Sequence, residues 1–94
     1  MGRLFEQVRD AVAADRWIVD HHADEMLRQR GIAEWQVLMG VSAGRLIIER
    51  PRSMPNPIVE IEQHLASGTP IKAVWAYLPV ARVAKLVTVH FFDR

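Results

Sequence analysis

Two stretches near the C-terminus, residues 71–78 (IKAVWAYL) and residues 83–92 (VAKLVTVHFF), decide the fold. The first stretch is apolar at every position except Lys72, and the second has Lys85, Thr88 and His90 as its polar insertions. Both are rich in the β-branched and aromatic residues that favour strands. Strands that are apolar on both faces are typical of the middle of a sheet. We therefore expect two central strands here.

Two more strands precede this pair. Residues 45–50 (RLIIER) form a β-rich segment that Pro51 ends, and residues 52–57 contain two further prolines, which deny a sheet its hydrogen-bond donors. Residues 58–65 (IVEIEQHL) carry a polar residue at nearly every second position. This alternation predicts a strand with one face in contact with solvent. Residues 67–70 (SGTP) are typical of a turn.

Helical patterns fill the first half of the chain. They cover residues 4–14, 21–30 and 34–41, and residues 16–19 (RWIV) between the first two indicate an extended connector or a short strand. Asp20 is the expected N-cap of the second helix, its carboxylate accepting a free amide, and Gly31 stands where that helix should end. Helices followed by strands indicate an α+β fold, with N-terminal helices packed on one face of a four-stranded, mainly antiparallel sheet.

Composition limits the classes of function. With 94 residues, 50% of them hydrophobic and 24% charged, the chain is expected to form a single globular domain over residues 1–94. It has no cysteine, which excludes disulfides, cysteine zinc sites, iron–sulfur clusters and thiol catalysis. No apolar run is long enough for a membrane span, so we expect a cytoplasmic protein without a membrane partner. Nucleotide-binding and hydrolase motifs are absent from the sequence, and no cofactor is expected.

Most of the positive charge comes from arginine. The net charge is only +1, so bulk charge does not identify a nucleic-acid-binding protein. Ten of the twelve basic residues are arginines, whose planar guanidinium groups bind phosphate in a bidentate manner. A GC-rich genome would produce the same bias, so the arginine content by itself leaves both explanations open.

The second helix carries two candidate functional residues. His22 falls in its first turn, where the helix dipole disfavours a charged imidazolium, so we expect a neutral ring that can accept a proton. Arg30 closes the same helix, roughly 12 Å further along the axis and within partial reach of an extended arginine side chain. Both residues also have a purely structural interpretation, as a hydrogen-bonded histidine and as an arginine that binds the last helix carbonyls.

Two further candidates lie on the last strand. Thr88 and His90 share one face of it, because side chains alternate with period two. A buried pair would need hydrogen-bond partners, whereas a pair in a cleft could transfer protons. His21 and Glu25 are four residues apart on a helix, but without a further ligand at helical spacing they do not predict a metal site.

Several short segments resemble domain-of-unknown-function family 4258 over about residues 17–93. They are the stretch His22-Ala23-x-x-Met26-x-x-x-Arg30-Gly31-Ile32, then Gly44-x-Leu46-Ile47, and finally Val87-Thr88-Val89. This resemblance implies a relation to small toxin ribonucleases of the RelE and BrnT types, which have helices on a twisted antiparallel sheet. It also implies RNA as substrate and a cognate antitoxin protein as partner.

The resemblance implies a metal-independent endoribonuclease of the toxin type. By the motif, His22 and Arg30 are its active-site candidates and Thr88 is the strand residue beside them. We assign His22 as the base, Arg30 as the group that stabilises developing charge, with Arg28 in reserve, and His90 as the acid. The arginines expected to bind the RNA are Arg28, Arg45, Arg50 and Arg52. The chain departs from the family pattern at Met26, where a basic residue is common, and at His90, which replaces a closing tyrosine.

Two alternatives remain open at this point. The domain could be a non-catalytic protein-interaction module of the same fold, which the modest net charge favours. It could instead bind nucleic acid without cleaving it, using Arg45, Arg50 and Arg52 around the RLIIERPR segment. Exposed edges of so small a sheet would also fit a homodimer or a tight protein partner.

Overall fold

The computed structural model of this chain describes residues 3–92. Three helices and five strands follow one another along this part of the chain. In order they are α1 (Arg3–Ala13), β1 (Trp17–Val19), α2 (His21–Arg30), α3 (Glu34–Gly40), β2 (Arg45–Arg50), β3 (Ile58–His64), β4 (Pro70–Leu78) and β5 (Val83–Phe91). The expected α+β class is therefore confirmed. None of the helices within residues 3–92 has the length and apolar character that a membrane crossing requires.

All five strands belong to one mixed sheet with the order β1-β5-β4-β3-β2. The β2–β3, β3–β4 and β4–β5 pairs are antiparallel, and the β1–β5 pair is parallel. The residues of the two central apolar stretches thus form interior strands, as the sequence predicts. The expectation of four strands is wrong, because residues 17–19 add a fifth.

The extra strand is short and depends on a distant partner. Trp17 lies opposite Ala84 and Val19 opposite Leu86 in the parallel register. The Asp20 amide donates to the Leu86 carbonyl at 2.9 Å, which continues this pairing to the start of α2. A strand of three residues has almost no alternation of its own to recognise, so its formation is decided by β5 rather than by its local sequence.

The helices cover one face of the sheet, and the core lies between them and the strands. Alternate residues of the inner strands point into this core; those that are fully buried include Val59, Ile61, Ile71, Ala73, Trp75, Ala84, Leu86 and Val89. The opposite face of β3 carries Glu60 and Glu62, which are half-buried and ion-paired, and the exposed His64. The expected polar face of residues 58–65 is confirmed.

The ends of α2 agree with the sequence in position but not in every contact. Asp20 occupies the N-cap with an extended backbone, yet its side chain makes no capping hydrogen bond, so that expected contact is wrong. The Asp24 amide donates instead to the Asp20 backbone carbonyl at 2.8 Å. At the other end Gly31 adopts φ 66°, a left-handed conformation that ends helices and favours glycine.

Candidate active site at the end of the last strand

A β-bulge in β5 sets the direction of the candidate site residues on this strand. Trp75 of β4 lies opposite Leu86, but Val74 lies opposite Thr88, so Val87 is the extra residue. Before the bulge the even-numbered Leu86 points into the core, and after it the odd-numbered Val89 does so. The bulge therefore turns Thr88, and with it His90, to the face that the helices leave uncovered.

His90 lies in a cavity at the end of this strand. The cavity has a volume of about 520 Å³ and is lined by Arg30, Lys72, His90, Phe91 and Phe92. Lys72 is the direct cross-strand partner of His90, and Arg30 enters from the last turn of α2. Within residues 3–92 the lining holds three basic side chains and no carboxylate. Such a set favours an anionic ligand.

Arg30 contributes a guanidinium group that is poorly satisfied within the protein. Its Nε atom is buried and has no hydrogen-bond partner among residues 3–92. Nη1 lies 3.7 Å from the Met26 sulfur, which is a weak acceptor, and the guanidinium carbon lies 5.8 Å from the centre of the Phe91 ring. No carboxylate of the described residues pairs with Arg30, so its charge remains available to an anion.

Thr88 of β5 supplies a second unsatisfied polar atom. Its hydroxyl oxygen is buried and finds no partner within the described residues. Buried polar groups without a hydrogen bond are uncommon in folded proteins and are concentrated at functional sites. Within residues 3–92 the two such side-chain atoms belong to Arg30 and Thr88, both of which the sequence marks as candidates.

Sequence reasoning missed Lys72 and the two aromatic residues of the cavity. Lys72 is the lone charged residue of an otherwise apolar strand, and that isolation is the signal that could have identified it. Its ammonium group lies 3.7 Å from a Glu60 carboxylate oxygen. Phe91 and Phe92 are 43% and 37% exposed, although phenylalanine usually lies in the core. The pattern of residues 83–92 did not show that these rings lie outside it.

His22 is exposed in the first turn of α2 and does not line this cavity. It stands two turns before Arg30, with Met26 one turn from each. The contact between Arg30 and the Met26 sulfur shows that the guanidinium bends back along α2 towards the His22 end. The neighbouring His21 pairs with Glu25 at 3.3 Å on the helix surface. The role of His22 as a base stays a prediction.

The four arginines proposed to bind RNA are exposed and do not line this cavity. Arg28 pairs with Asp24 at 3.1 Å, Arg45 pairs with Glu62, and Arg50 lies 3.4 Å from Glu60. Arg52 is in the turn after β2. Because β2 is the far edge strand, Arg45 and Arg50 lie about 14 Å from β5, three strand spacings away. Glu60 and Glu62 of β3 lie between these two arginines and the cavity, and their negative charge weakens the β2 side of the sheet as a phosphate-binding surface.

A metal-dependent mechanism has no visible ligand set. Within residues 3–92, no three histidine or carboxylate side chains converge in a group that could hold a metal ion. The chemistry of the cavity is instead that of fixed organic cations and one imidazole, which can bind a phosphate and exchange a proton.

Comparison with known proteins identifies a family but not a characterised relative. No curated protein and no solved structure matches the chain. A family model described as a domain of unknown function, DUF4258, matches residues 19–91. This range includes α2, the full bulged strand and four of the five residues that line the cavity. The chain therefore belongs to domain-of-unknown-function family 4258.

Proposed function

We propose that this domain is a metal-independent endoribonuclease whose active site is the cavity of Arg30, Lys72 and His90. One observation carries the proposal: three basic side chains from α2, β4 and β5 line one cavity, to which the described residues contribute no carboxylate. The Arg30 side chain supports it, because its Nε has no hydrogen-bond partner among residues 3–92 and a bound phosphate would satisfy donors of the guanidinium group.

The reaction is a transfer of the phosphoryl group within the RNA chain. A base removes the 2′-hydroxyl proton, and the 2′-oxygen then forms a bond to phosphorus while the bond from phosphorus to the 5′-oxygen breaks. The leaving 5′-oxygen takes a proton from an acid, and the products carry a 2′,3′-cyclic phosphate and a 5′-hydroxyl. Arg30 and Lys72 stabilise the negative charge that develops on the phosphate oxygens.

His90 is the proton-transferring group of the cavity, and we assign it as the acid. His22 remains our proposed base, in an arrangement in which the RNA runs along α2 from the cavity towards its first turn. The bent Arg30 side chain covers one of the two helical turns that separate Arg30 from His22. Thr88 lies two residues before His90 on the same face and is the strand residue beside these groups; its hydroxyl is buried and it does not line the cavity.

The toxin assignment extends this proposal. A toxin of this type would arrest growth when expressed alone, and a cognate antitoxin would block it. The resemblance to RelE- and BrnT-like proteins is what suggests this role, and RNA cleavage by the isolated chain is its first requirement.

Cleavage of a single-stranded RNA by the purified chain, in the presence of EDTA, tests the proposed function. We expect products with 2′,3′-cyclic phosphate ends, and a loss of cleavage of at least about 100-fold in His90→Gln and Arg30→Met. His64→Gln is the matched control, because His64 is an exposed histidine of β3 outside the cavity. Full cleavage by both cavity variants, or no cleavage by the folded wild-type chain, would refute the proposal.

A second candidate function, a protein-interaction module, is favoured by an apolar groove between α1 and α3. The groove is about 470 Å³ and its lining includes Val12, Trp17, Leu38 and Met39. Met39 is 70% exposed and the nearby Trp35 is 55% exposed. An apolar surface of this kind on a small domain is typical of a partner-binding site.

The charges around this groove indicate the kind of partner. Asp15 lines it, and Glu6 and Asp10 line an adjoining cavity that shares Arg9 with it. These three carboxylates make no ion pair within residues 3–92. An amphipathic helix with basic flanks would fit best. A helical peptide flanked by lysines should bind to this groove, and Met39→Glu should abolish the binding. A peptide flanked by glutamates should not bind. Equal binding of the two peptides would exclude this function.

A further inference from the structure

We infer that the substrate presents an unpaired base beside the scissile phosphate, and that Phe92 and Phe91 bind this base by stacking. The inference rests on the proposed function, since it places a phosphate among Arg30, Lys72 and His90. It goes further by naming the form of RNA that the site accepts and the residues that select it.

The rings of Phe91 and Phe92 lie beside the proposed phosphate-binding groups. Both line the same cavity as the three basic side chains, so a nucleotide whose phosphate contacts those cations brings its base within reach of a ring. Neither ring belongs to the hydrophobic core, although the fully buried Val89 lies only two residues before Phe91 and three before Phe92. Aromatic side chains that remain exposed next to cationic groups are the usual binding elements for single-stranded nucleic acids.

The two rings differ in their contacts with Arg30. The Arg30 guanidinium lies over its ring, with 5.8 Å between the guanidinium carbon and the ring centre. This contact fixes Arg30 and Phe91 relative to each other and occupies one side of the Phe91 ring. Phe92 has no such contact among the cation–π pairs of the described residues. Phe92 is therefore the principal stacking surface, and Phe91 mainly orients Arg30.

A base within a duplex could not stack on the Phe92 ring. In an A-form duplex each base is covered above and below by its neighbours, so that its face is closed to a side chain. A ring can stack only on a base that has left the helix, in a single strand, a loop or a bulge. Stacking of one base typically changes affinity by about 5-fold to 150-fold.

The test separates the bases of the ligand from its phosphates. A fluorescently labelled 2′-O-methyl RNA of about 12 nucleotides binds without being cleaved, because its 2′-oxygen cannot attack. Its affinity is compared by anisotropy with that of the same strand containing abasic residues, which keep the phosphates, and with that of its duplex. We expect the abasic strand and the duplex to bind at least about 5-fold more weakly than the intact strand.

Variants assign this preference to the ring. Phe92→Leu should lower the affinity for the intact strand at least about 5-fold while leaving the affinity for the abasic strand unchanged. Trp35→Leu is the matched control, because it removes a ring on α3 that is more exposed than Phe92 and lies outside the cavity, and it should change neither affinity. Circular dichroism of each variant establishes that it is folded.

The outcomes distinguish this inference from the proposed function. Equal affinity for the intact and abasic strands, an unchanged affinity in folded Phe92→Leu, or no binding of any strand would overturn the stacking inference. Base-dependent binding that Phe92→Leu weakens, without cleavage of unmodified RNA by the wild-type chain, would uphold stacking and refute the nuclease.

Discussion

Thr88 provides a stability test of the account, because its buried hydroxyl has no hydrogen-bond partner within the described residues. Valine has nearly the same shape as threonine and lacks the hydroxyl. Burying a hydroxyl without a partner costs about 1–3 kcal/mol in proteins. Thr88→Val should therefore raise the free energy of unfolding by about 1–2 kcal/mol, and valine is also at least as favourable as threonine in a strand.

Urea unfolding followed by tryptophan fluorescence measures this change. With a slope of about 1 kcal/mol per molar urea, the midpoint should rise by about 1–2 M at an unchanged slope. Thr69→Val is the control: the Thr69 hydroxyl is exposed and hydrogen-bonded to the Ser67 hydroxyl at 2.9 Å, so its loss should lower stability slightly. A midpoint that falls in Thr88→Val would show that the hydroxyl is satisfied, and would refute this reasoning.

Three more predictions concern side chains at the core and at the cavity. Gln63→Leu should lower the free energy of unfolding by about 2–4 kcal/mol, because the buried Gln63 accepts from Trp75 Nε1 at 3.1 Å and donates to the Val37 carbonyl at 2.8 Å. A loss below about 0.5 kcal/mol in urea unfolding would contradict this. Glu49→Gln should lower the free energy of unfolding by about 0.3–1 kcal/mol, and by less at high salt. The Glu49 carboxylate accepts a hydrogen bond from the amide of Phe5 at 2.8 Å, in the first turn of α1, where its charge also interacts favourably with the helix dipole. An effect that does not depend on salt would exclude this contribution of the dipole. Arg30→Met should leave the free energy of unfolding within about 1 kcal/mol of the wild-type value, because the loss of the cation–π contact and the removal of an unsatisfied buried donor have opposite effects. A larger loss of stability would mean that Arg30 mainly stabilises the fold.

Most of the secondary structure could be predicted because it depends on local patterns. The second helix has its bounds where the sequence places them, with Gly31 at its end, and residues 45–50 form the predicted strand. The fifth strand, Trp17–Val19, could not be predicted with the same certainty. It exists through pairing with residues 84–86, far along the chain, and not through its own alternation.

The candidate site was only partly predictable for a similar reason. Period-two alternation places Thr88 and His90 on one face, but it cannot tell which face, because the bulge at Val87 reverses the alternation within the strand. Lys72 joins His90 through the register of β4 and β5, which no local pattern states. His22 lies outside the cavity lining although it belongs to the same helix as Arg30, because the two residues are two helical turns apart.

The unsatisfied side-chain atoms of Arg30 and Thr88 also bear on how such a small domain could combine stability with function. Each is a buried polar atom without a hydrogen-bond partner among residues 3–92, in a chain whose total stability is expected to be about 5–15 kcal/mol. Sites that bind a charged ligand commonly lower stability in this way. Bound phosphate should therefore stabilise the wild-type domain more than it stabilises Arg30→Met.

A backbone amide NMR titration of the ¹⁵N-labelled chain with a non-cleavable 2′-O-methyl RNA tests the central claim most directly, because it locates the phosphate-binding surface. The account predicts that the largest shifts occur at the end of α2 around Arg30, at Lys72 and at residues 88–92. Shifts concentrated instead on β2, at Arg45 and Arg50, would contradict it and would transfer nucleic-acid binding to the opposite edge of the sheet.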